Sequence, residues 1–125
     1  MTIGVGIIGA GNISTQYLTN LTSYPDVEVV AIDDLIVERA QAQAEKFGVP
    51  TWGGENTVLN TPGVDIVVNI TPPEVHIDVS TKAVRAGKHV WSEKPLGLDL
   101  EAARALLDEA KQRGWTVISM KNDWK

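Results

Sequence analysis

The sequence of 125 residues contains no cysteine, no block of basic residues and no long hydrophobic run. Without cysteine there is no disulfide framework, no thiolate metal site and no cysteine nucleophile. The formal net charge of −5 argues against nucleic acid or an anionic membrane surface as the main partner. No apolar stretch approaches the length that spans a bilayer, and the N-terminus lacks a signal-peptide pattern. We therefore expect a cytoplasmic protein that is not bound to a membrane.

Hydrophobic residues make up 43% of the chain, which is enough for the core of a single domain. Apolar strands and amphipathic helices alternate, and the strands are nearly continuous in apolar character, as is typical of strands buried on both faces. This pattern predicts an α/β fold with a doubly wound parallel sheet of about six strands. The predicted strands are 3–8, 27–32, 51–52, 66–68 (within the segment 65–69), 89–92 and 115–120. The predicted helices are 13–21, 37–47, 55–60, 75–86 and 100–113.

The periodicity of the last two helices predicts which residues face the core. The inward face of the fourth helix is expected to carry Val75, Val79, Ala83 and Ala86. Asp99 is expected to cap the fifth helix, whose inward stripe is expected to consist of Leu100, Ala103, Leu107 and Ala110.

A glycine turn, Gly9-Ala10-Gly11, joins the first predicted strand to the first predicted helix. A side chain at Gly9 would block the sharp bend, and Gly11 allows the backbone to approach a pyrophosphate closely. The helix then begins with N–H groups, at Asn12 and Ile13, that are suited to bind phosphates. The third position of the fingerprint is Ser14 rather than glycine, a departure by a small residue. This stretch predicts a dinucleotide-binding site.

Asp34 follows the second predicted strand, at about the spacing of the acid that binds an adenosine ribose. A carboxylate accepts hydrogen bonds from both ribose hydroxyls and repels a 2′-phosphate, so it favours NAD over NADP. Asp33 is a secondary candidate for the same contact. The alternative for Asp34 is a solvated turn residue or a cap of the next helix.

Two further segments carry a family resemblance. Thr71, Pro72 and His76 form a Thr-Pro-x-x-x-His turn after the fourth strand. A second run is formed by Gly87, Lys88, His89, Val90, Glu93, Lys94 and Pro95. With these motifs the chain resembles, from Ile3 to about Gly114, the Gfo/Idh/MocA family of oxidoreductases, named for glucose–fructose oxidoreductase and myo-inositol dehydrogenase. The chain departs from the family at position 73, where it has proline and the family often has asparagine nearby.

The resemblance implies a Rossmann domain that binds NAD. It implies that Thr71 and Pro72 line the nicotinamide side, that Glu93 and Lys94 reach the nicotinamide ribose, and that Lys94 also faces the substrate as the catalytic candidate. His76 is a cofactor-binding candidate, with the alternative that it packs beneath the loop. A metal site is not expected.

The family's enzymes continue into a second domain that supplies the substrate pocket, and this chain is expected to lack it. The chain is either a fragment of an oxidoreductase acting on a sugar or polyol hydroxyl, or a stand-alone cofactor module. A non-catalytic NAD-sensing module and the cofactor domain of an NAD-dependent glycosidase stay open as alternatives. Without a second domain, apolar surface around Trp115, Val117 and Trp124 is expected to be exposed and to favour a homodimer.

Overall fold

The computed structural model describes residues 2–93 and 100–120. In this part of the chain, the strands are β1 (Ile3–Ile8), β2 (Val27–Asp33), β3 (Thr51–Gly53), β4 (Ile66–Asn69), β5 (His89–Glu93) and β6 (Val117–Met120). The helices are α1 (Asn12–Leu21), α2 (Val37–Phe47), α3 (Thr57–Asn60), α4 (His76–Arg85) and α5 (Leu100–Arg113), and a 3-10 turn over Pro73–Val75 precedes α4. None of these helices is long and apolar enough to cross a membrane.

The six strands form one parallel sheet in the order β3-β2-β1-β4-β5-β6. The predicted doubly wound sheet is therefore confirmed. The order places β1 between β2 and β4, so that the chain leaves β1 in one direction and returns to its other side after β3. Ligands of open α/β sheets bind at such a switch point, beyond the carboxyl ends of the strands.

Helices cover the sheet with two separate hydrophobic clusters. The first cluster joins the sheet to α1 and α2 and includes Ile7, Leu18 and Ala44. The second joins the sheet to α3, α4 and α5 and includes Val67, Val84 and Leu106. Burial from both sides explains why the strands read as continuous apolar runs.

The predicted inward faces of the last two helices are partly wrong. Ala83 of α4 is buried as expected, but Val75, in the 3-10 turn before α4, is 39% exposed, and Ala86, directly after α4, is exposed. The buried residues of α4 are His76, Ser80, Ala83 and Val84. On α5 they are Ala103, Leu106 and Ala110, whereas Leu100 and Leu107 are exposed. The core-facing stripe of each helix is therefore rotated by about one residue from the predicted one, and Asp99 lies outside the described residues.

The structure describes two of the three residues around which apolar surface was expected to be exposed. Trp115 and Val117 are half-buried and pack against the second hydrophobic cluster. The Trp115 ring also meets the His89 ring edge-on, with their centroids 5.2 Å apart. Trp124 lies outside the described residues. The expected homodimer stays a prediction, and these two residues do not support it.

The rotated stripe of α5 gives a paired stability prediction. Leu106→Ala removes a side chain that is 2% exposed and leaves a cavity, so we expect it to lower the free energy of unfolding by about 2–5 kcal/mol. Leu107→Ala is the matched control, because this neighbour is 42% exposed, and we expect a loss below about 1 kcal/mol. Urea denaturation measures both. Equal losses would contradict the observed orientation of the helix.

Candidate cofactor-binding site

A cleft of about 670 Å³ opens at the carboxyl ends of β1, β2 and β4. Its walls come from the loops that follow these three strands and from the first turns of α1 and α4, with Arg39 of α2 and with Glu55, Asn56 and Leu59 before and within α3. The lining residues that the sequence predicted are Gly9, Gly11, Asn12, Ile13, Asp34, Thr71 and Pro72, together with Asp33, the secondary candidate. The structure therefore brings the glycine turn, the acid after β2 and the turn after β4 into one cleft.

Gly9 makes the sharp bend between β1 and α1. Its φ of +113° lies in a region that L side chains rarely adopt. A Cβ at this position would lie 2.9 Å from the carbonyl oxygen of Ile70, which follows β4. The Gly9 N–H donates to the Asp33 carbonyl at 2.8 Å. The turn is thus held closely against the ends of both neighbouring strands.

Gly11 is the N-cap residue of α1 and needs no unusual backbone conformation, since its φ is −77°. A Cβ at Gly11 would meet no protein atom within 4 Å, although the residue lines the cleft. No side chain caps this helix, and no acidic residue lies in its first turn. The positive end of the helix dipole therefore faces the cleft with room for an anion, which fits the pyrophosphate of a dinucleotide.

Ser14 shows why a residue other than glycine is tolerated at the third fingerprint position. Its side chain is fully buried, and its hydroxyl donates to the Gly11 carbonyl at 2.6 Å. The Gln43 amide on α2 donates in turn to the Ser14 hydroxyl oxygen at 2.7 Å. From its position in α1, the Ser14 hydroxyl therefore links the glycine turn to α2 by hydrogen bonds, which a glycine at this position could not make.

Asp34 lies at the edge of the cleft and is held by two backbone groups. Its Oδ2 accepts the Ala10 N–H at 2.7 Å, and its Oδ1 accepts the Ile36 N–H at 2.8 Å. A carboxylate has about four acceptor positions, so capacity is left for further donors such as ribose hydroxyls. The two bonds fix the carboxylate in place and tie it to the glycine turn.

Asp33, the secondary candidate, has a different role. Its side chain is 2% exposed, and its Oδ2 accepts the Val58 N–H in the first turn of α3 at 2.8 Å. Burial raises its pKa to about 6, with smaller contributions from the nearby Asp34 and Glu55, while the Val58 hydrogen bond acts in the opposite direction. The Asp33 carboxyl thus stabilises α3, and we expect no ribose contact from it.

The turn after β4 is organised by Asn69, a residue that the sequence analysis did not single out. Asn69 is fully buried, and its Oδ1 accepts from both the backbone N–H and the hydroxyl of Thr71, at 3.2 and 2.6 Å. Thr71 and Pro72 follow on the wall of the cleft, with Val75 and Val79 beside them. These two valines were predicted to face the core and instead form part of the apolar surface of the cleft.

The remaining predicted residues lie elsewhere or cannot be placed. His76 is 1% exposed and does not line the cleft, so its position fits packing beneath the turn rather than contact with a cofactor. At the start of β5, the Nδ1 atom of His89 accepts the Thr116 N–H at 3.0 Å, which is a structural role. Lys94 lies outside the described residues, and the structure does not describe the side chain of Glu93. In residues 2–93 and 100–120, no group of acids and histidines is placed to hold a metal ion.

The fold and the cleft define a dinucleotide-binding Rossmann domain. The chain belongs to the Gfo/Idh/MocA family, because residues 3–120 match the family model described as "Oxidoreductase family, NAD-binding Rossmann fold". The family resemblance and its cofactor, NAD, are thus confirmed.

Individual relatives support the same family. The chain is 34% identical over 110 residues to scyllo-inositol 2-dehydrogenase (NAD(+)) of Bacillus subtilis, covering 86% of this chain and 32% of the relative. A crystal structure of a 3-ketoreductase from Actinomadura kijaniata, in complex with NADP and TDP-benzene, superposes with a TM-score of 0.90 at 35% identity, covering 95% of this chain and 37% of the other. GenD2 from gentamicin A biosynthesis, in complex with NAD, gives a TM-score of 0.89 at 28% identity, with coverages of 94% and 34%. The chain spans about a third of the length of these relatives.

The buried Asp33 predicts a pH dependence of stability. Its pKa is higher in the folded chain, about 6, than the ordinary 3.8, so the folded state holds this proton more tightly. The contribution of this group is therefore fully present below about pH 4 and is lost as pH rises towards 6, by up to about 3 kcal/mol. Asp33→Asn removes the charge, and we expect its stability relative to the wild type to increase over this range. Urea denaturation at about pH 4 and pH 7 measures the difference.

The exposed Asp26→Asn variant is the control for this measurement, because it loses a carboxylate at a solvated position. We expect no comparable change for it. A stability difference between wild type and Asp33→Asn that does not vary with pH would contradict the raised pKa.

Proposed function

We propose that this chain binds NAD as the cofactor domain of an oxidoreductase that acts on a sugar or polyol hydroxyl. The observation that carries the proposal is the cleft itself, in which the open N-terminus of α1 and the fixed carboxylate of Asp34 lie on either side of one glycine turn. An anion site and a ribose acceptor in this arrangement match the two halves of an adenosine diphosphate group.

Each part of the cleft has a separate task in this proposal. The N–H groups at the start of α1 bind the pyrophosphate, and Gly11 leaves room for it because it has no side chain. Asp34 accepts the hydroxyls of the adenosine ribose, while Pro72, Val75 and Val79 offer an apolar wall at the turn after β4, which the family resemblance assigns to the nicotinamide side. NAD, when bound, supplies the acceptor for a hydride.

Membership of the family does not decide between NAD and NADP, because the two solved relatives named above contain different dinucleotides. The choice therefore depends on the residues of this cleft, and first of all on Asp34. The Ala10 and Ile36 N–H groups hold the Asp34 carboxylate, so it cannot swing away from a 2′-phosphate. Two like charges about 4 Å apart near a protein surface repel by roughly 4 kcal/mol. Arg39 and Lys82 also line the cleft and carry charges that would attract this phosphate, but the Arg39 side chain is exposed and Lys82 is paired with Glu55 at 3.4 Å. We infer that the repulsion from Asp34 outweighs the attraction by the cations of the cleft, so that the chain binds NAD more tightly than NADP.

The preference is measured by calorimetric titration of the chain with NAD and with NADP. We expect NAD to bind at least about tenfold more tightly, which corresponds to about 1.4 kcal/mol and is well within the estimated repulsion. Asp34→Ala should reduce the ratio of the dissociation constant for NADP to that for NAD, since both the repulsion of the 2′-phosphate and the acceptor for the ribose hydroxyls are lost.

Asp65→Asn is the matched control for Asp34. The Asp65 carboxylate also accepts a backbone N–H, that of Gly4 at 2.9 Å, but it lies at the opposite end of the sheet from the cleft. We expect this variant to keep the wild-type ratio. Tighter binding of NADP by the wild type would mean that the cations of the cleft, Arg39 and Lys82, outweigh Asp34, and it would disprove the ribose assignment.

Substrate and chemistry are proposed from the family. The inositol dehydrogenase among the relatives acts on a polyol, and we carry that substrate class to this chain as a proposal. Neither of the two histidines can serve as a base in the cleft, since His76 is buried and His89 lies at the start of β5. Lys94 is the catalytic candidate and Glu93 a cofactor contact, both by resemblance. We propose that these 125 residues alone bind NAD without turning over a substrate.

A turnover assay tests this last point. NADH formation is followed by absorbance with a panel of polyols and sugars, in parallel with the NAD titration. We expect binding without turnover, because holding a substrate in a reactive geometry can account for roughly 7–11 kcal/mol of a barrier and a general base for about a hundred- to ten-thousand-fold in rate. Steady turnover that Lys94→Ala abolishes would show that the chain completes its own site.

A further inference from the structure

Asn69 is a fully buried side chain whose hydrogen-bonding groups are all used. Its Nδ2 donates to the His76 carbonyl at 3.0 Å and to the Ser80 hydroxyl oxygen at 2.8 Å. Its Oδ1 accepts the Thr71 N–H and the Thr71 hydroxyl. One amide thus links the end of β4 to the cleft wall on one side and to the first turns of α4 on the other.

This arrangement fixes the direction of the Thr71 hydroxyl. A hydroxyl has one proton and two acceptor positions, and the 2.6 Å bond to Asn69 uses the proton. Thr71 lines the cleft and is only half-buried. Towards the cleft its oxygen can therefore only accept, and it is suited to an O–H or N–H donor of a bound molecule.

The amide is chemically suited to this task because it is a donor on one side and an acceptor on the other. The acceptor side holds Thr71, and the donor side satisfies the His76 carbonyl and Ser80, which are both buried. Leucine has a similar size but neither function, and aspartate keeps the acceptor while losing the donor. Burying such a polar side chain is costly unless every group has a partner.

We propose that Asn69 is a positioning residue for dinucleotide binding, which acts by holding the Thr71 hydroxyl as an acceptor that faces the cleft. This inference rests on the proposed function, since it needs NAD to occupy the cleft. The sheet order supports it: Asp34 follows β2, the glycine turn follows β1, and Thr71 follows β4 on the other side. A dinucleotide that runs across this switch point from Asp34 passes the Thr71 turn.

A double-mutant cycle with NAD titration tests the proposal. Thr71→Val removes the acceptor, and Asn69→Leu removes the group that orients it, so each should weaken NAD binding about tenfold, as expected for one lost hydrogen bond. If Asn69 acts through Thr71, the double variant should also lose only about tenfold. Independent effects would multiply to about a hundredfold and would overturn the proposal. Thr71→Ser keeps the hydroxyl and should restore most of the affinity that Thr71→Val loses.

Ser80→Ala is the matched structural control. It removes another buried partner of the same amide without touching Thr71, so we expect it to lower thermal stability and to leave NAD affinity within about twofold. If Asn69→Leu does not fold, Asn69→Ala replaces it in the cycle, because it also removes the acceptor of the Thr71 hydroxyl and should weaken NAD binding about tenfold. An affinity within about twofold of the wild type in that variant would overturn the proposal.

The experiment separates this inference from the proposed function. A wild-type chain that does not bind NAD disproves the cofactor site itself. A wild-type chain that binds NAD, together with an Asn69→Leu variant of unchanged affinity, disproves only the positioning role.

Discussion

The close approach of the Gly9 turn to the ends of β2 and β4 is the constraint on which the rest of the site depends. The Gly9 N–H bonds to the Asp33 carbonyl, and the position of a Gly9 side chain is taken by the Ile70 carbonyl. Only a residue without Cβ can pass here, and it does so at a positive φ. Because three strand ends meet in this way, the start of α1 and the turn after β4 open into the same cleft. A wider turn would separate the two walls.

Buried polar side chains keep this meeting point rigid. Ser14 bonds to the Gly11 carbonyl, Asp33 to the first turn of α3, and Asn69 to Thr71 and α4. Each side chain is at most 2% exposed, and burial of such groups is favourable only when their hydrogen bonds are made. Their common effect is to fix backbone segments around the cleft, so that little ordering remains to be done when a ligand binds.

The sequence predicted the fold better than the helix faces, and the reason is physical. Strands buried on both sides are apolar throughout, so their positions can be read without knowing their partners. The inward face of α4 was misassigned because apolar residues were taken to face the core. Val75 and Val79 instead line the cleft, while Ser80 and His76 are buried in their place. Ligand pockets are also lined by apolar side chains, so the periodicity of one helix cannot distinguish a face that contacts a ligand from a face that contacts the core.

Asn69 could have been noticed from the sequence, since a polar residue ends an otherwise apolar strand directly before Thr71. Its role could not, because its partners His76 and Ser80 belong to a different element and come together only in the folded chain. The same holds for Ser14. In the sequence it is only a departure from the glycine fingerprint, and its role becomes clear from the hydrogen bond that the Gln43 amide of α2 donates to it. Local patterns identify the elements, whereas contacts across elements decide what a polar residue does.

The adjacent acids at the end of β2 show how one position changes the chemistry of the same group. Successive side chains of a strand point to opposite faces. Asp33 is still part of β2 and points into the protein, where burial raises its pKa and its carboxyl serves α3. Asp34 is the first residue after the strand, and its carboxylate lies at the cleft, fixed by two backbone N–H groups. In the sequence the two carboxylates look equivalent. In the folded chain the alternation of side chains along the strand gives Asp33 a structural role and places Asp34 where it can contact a ligand.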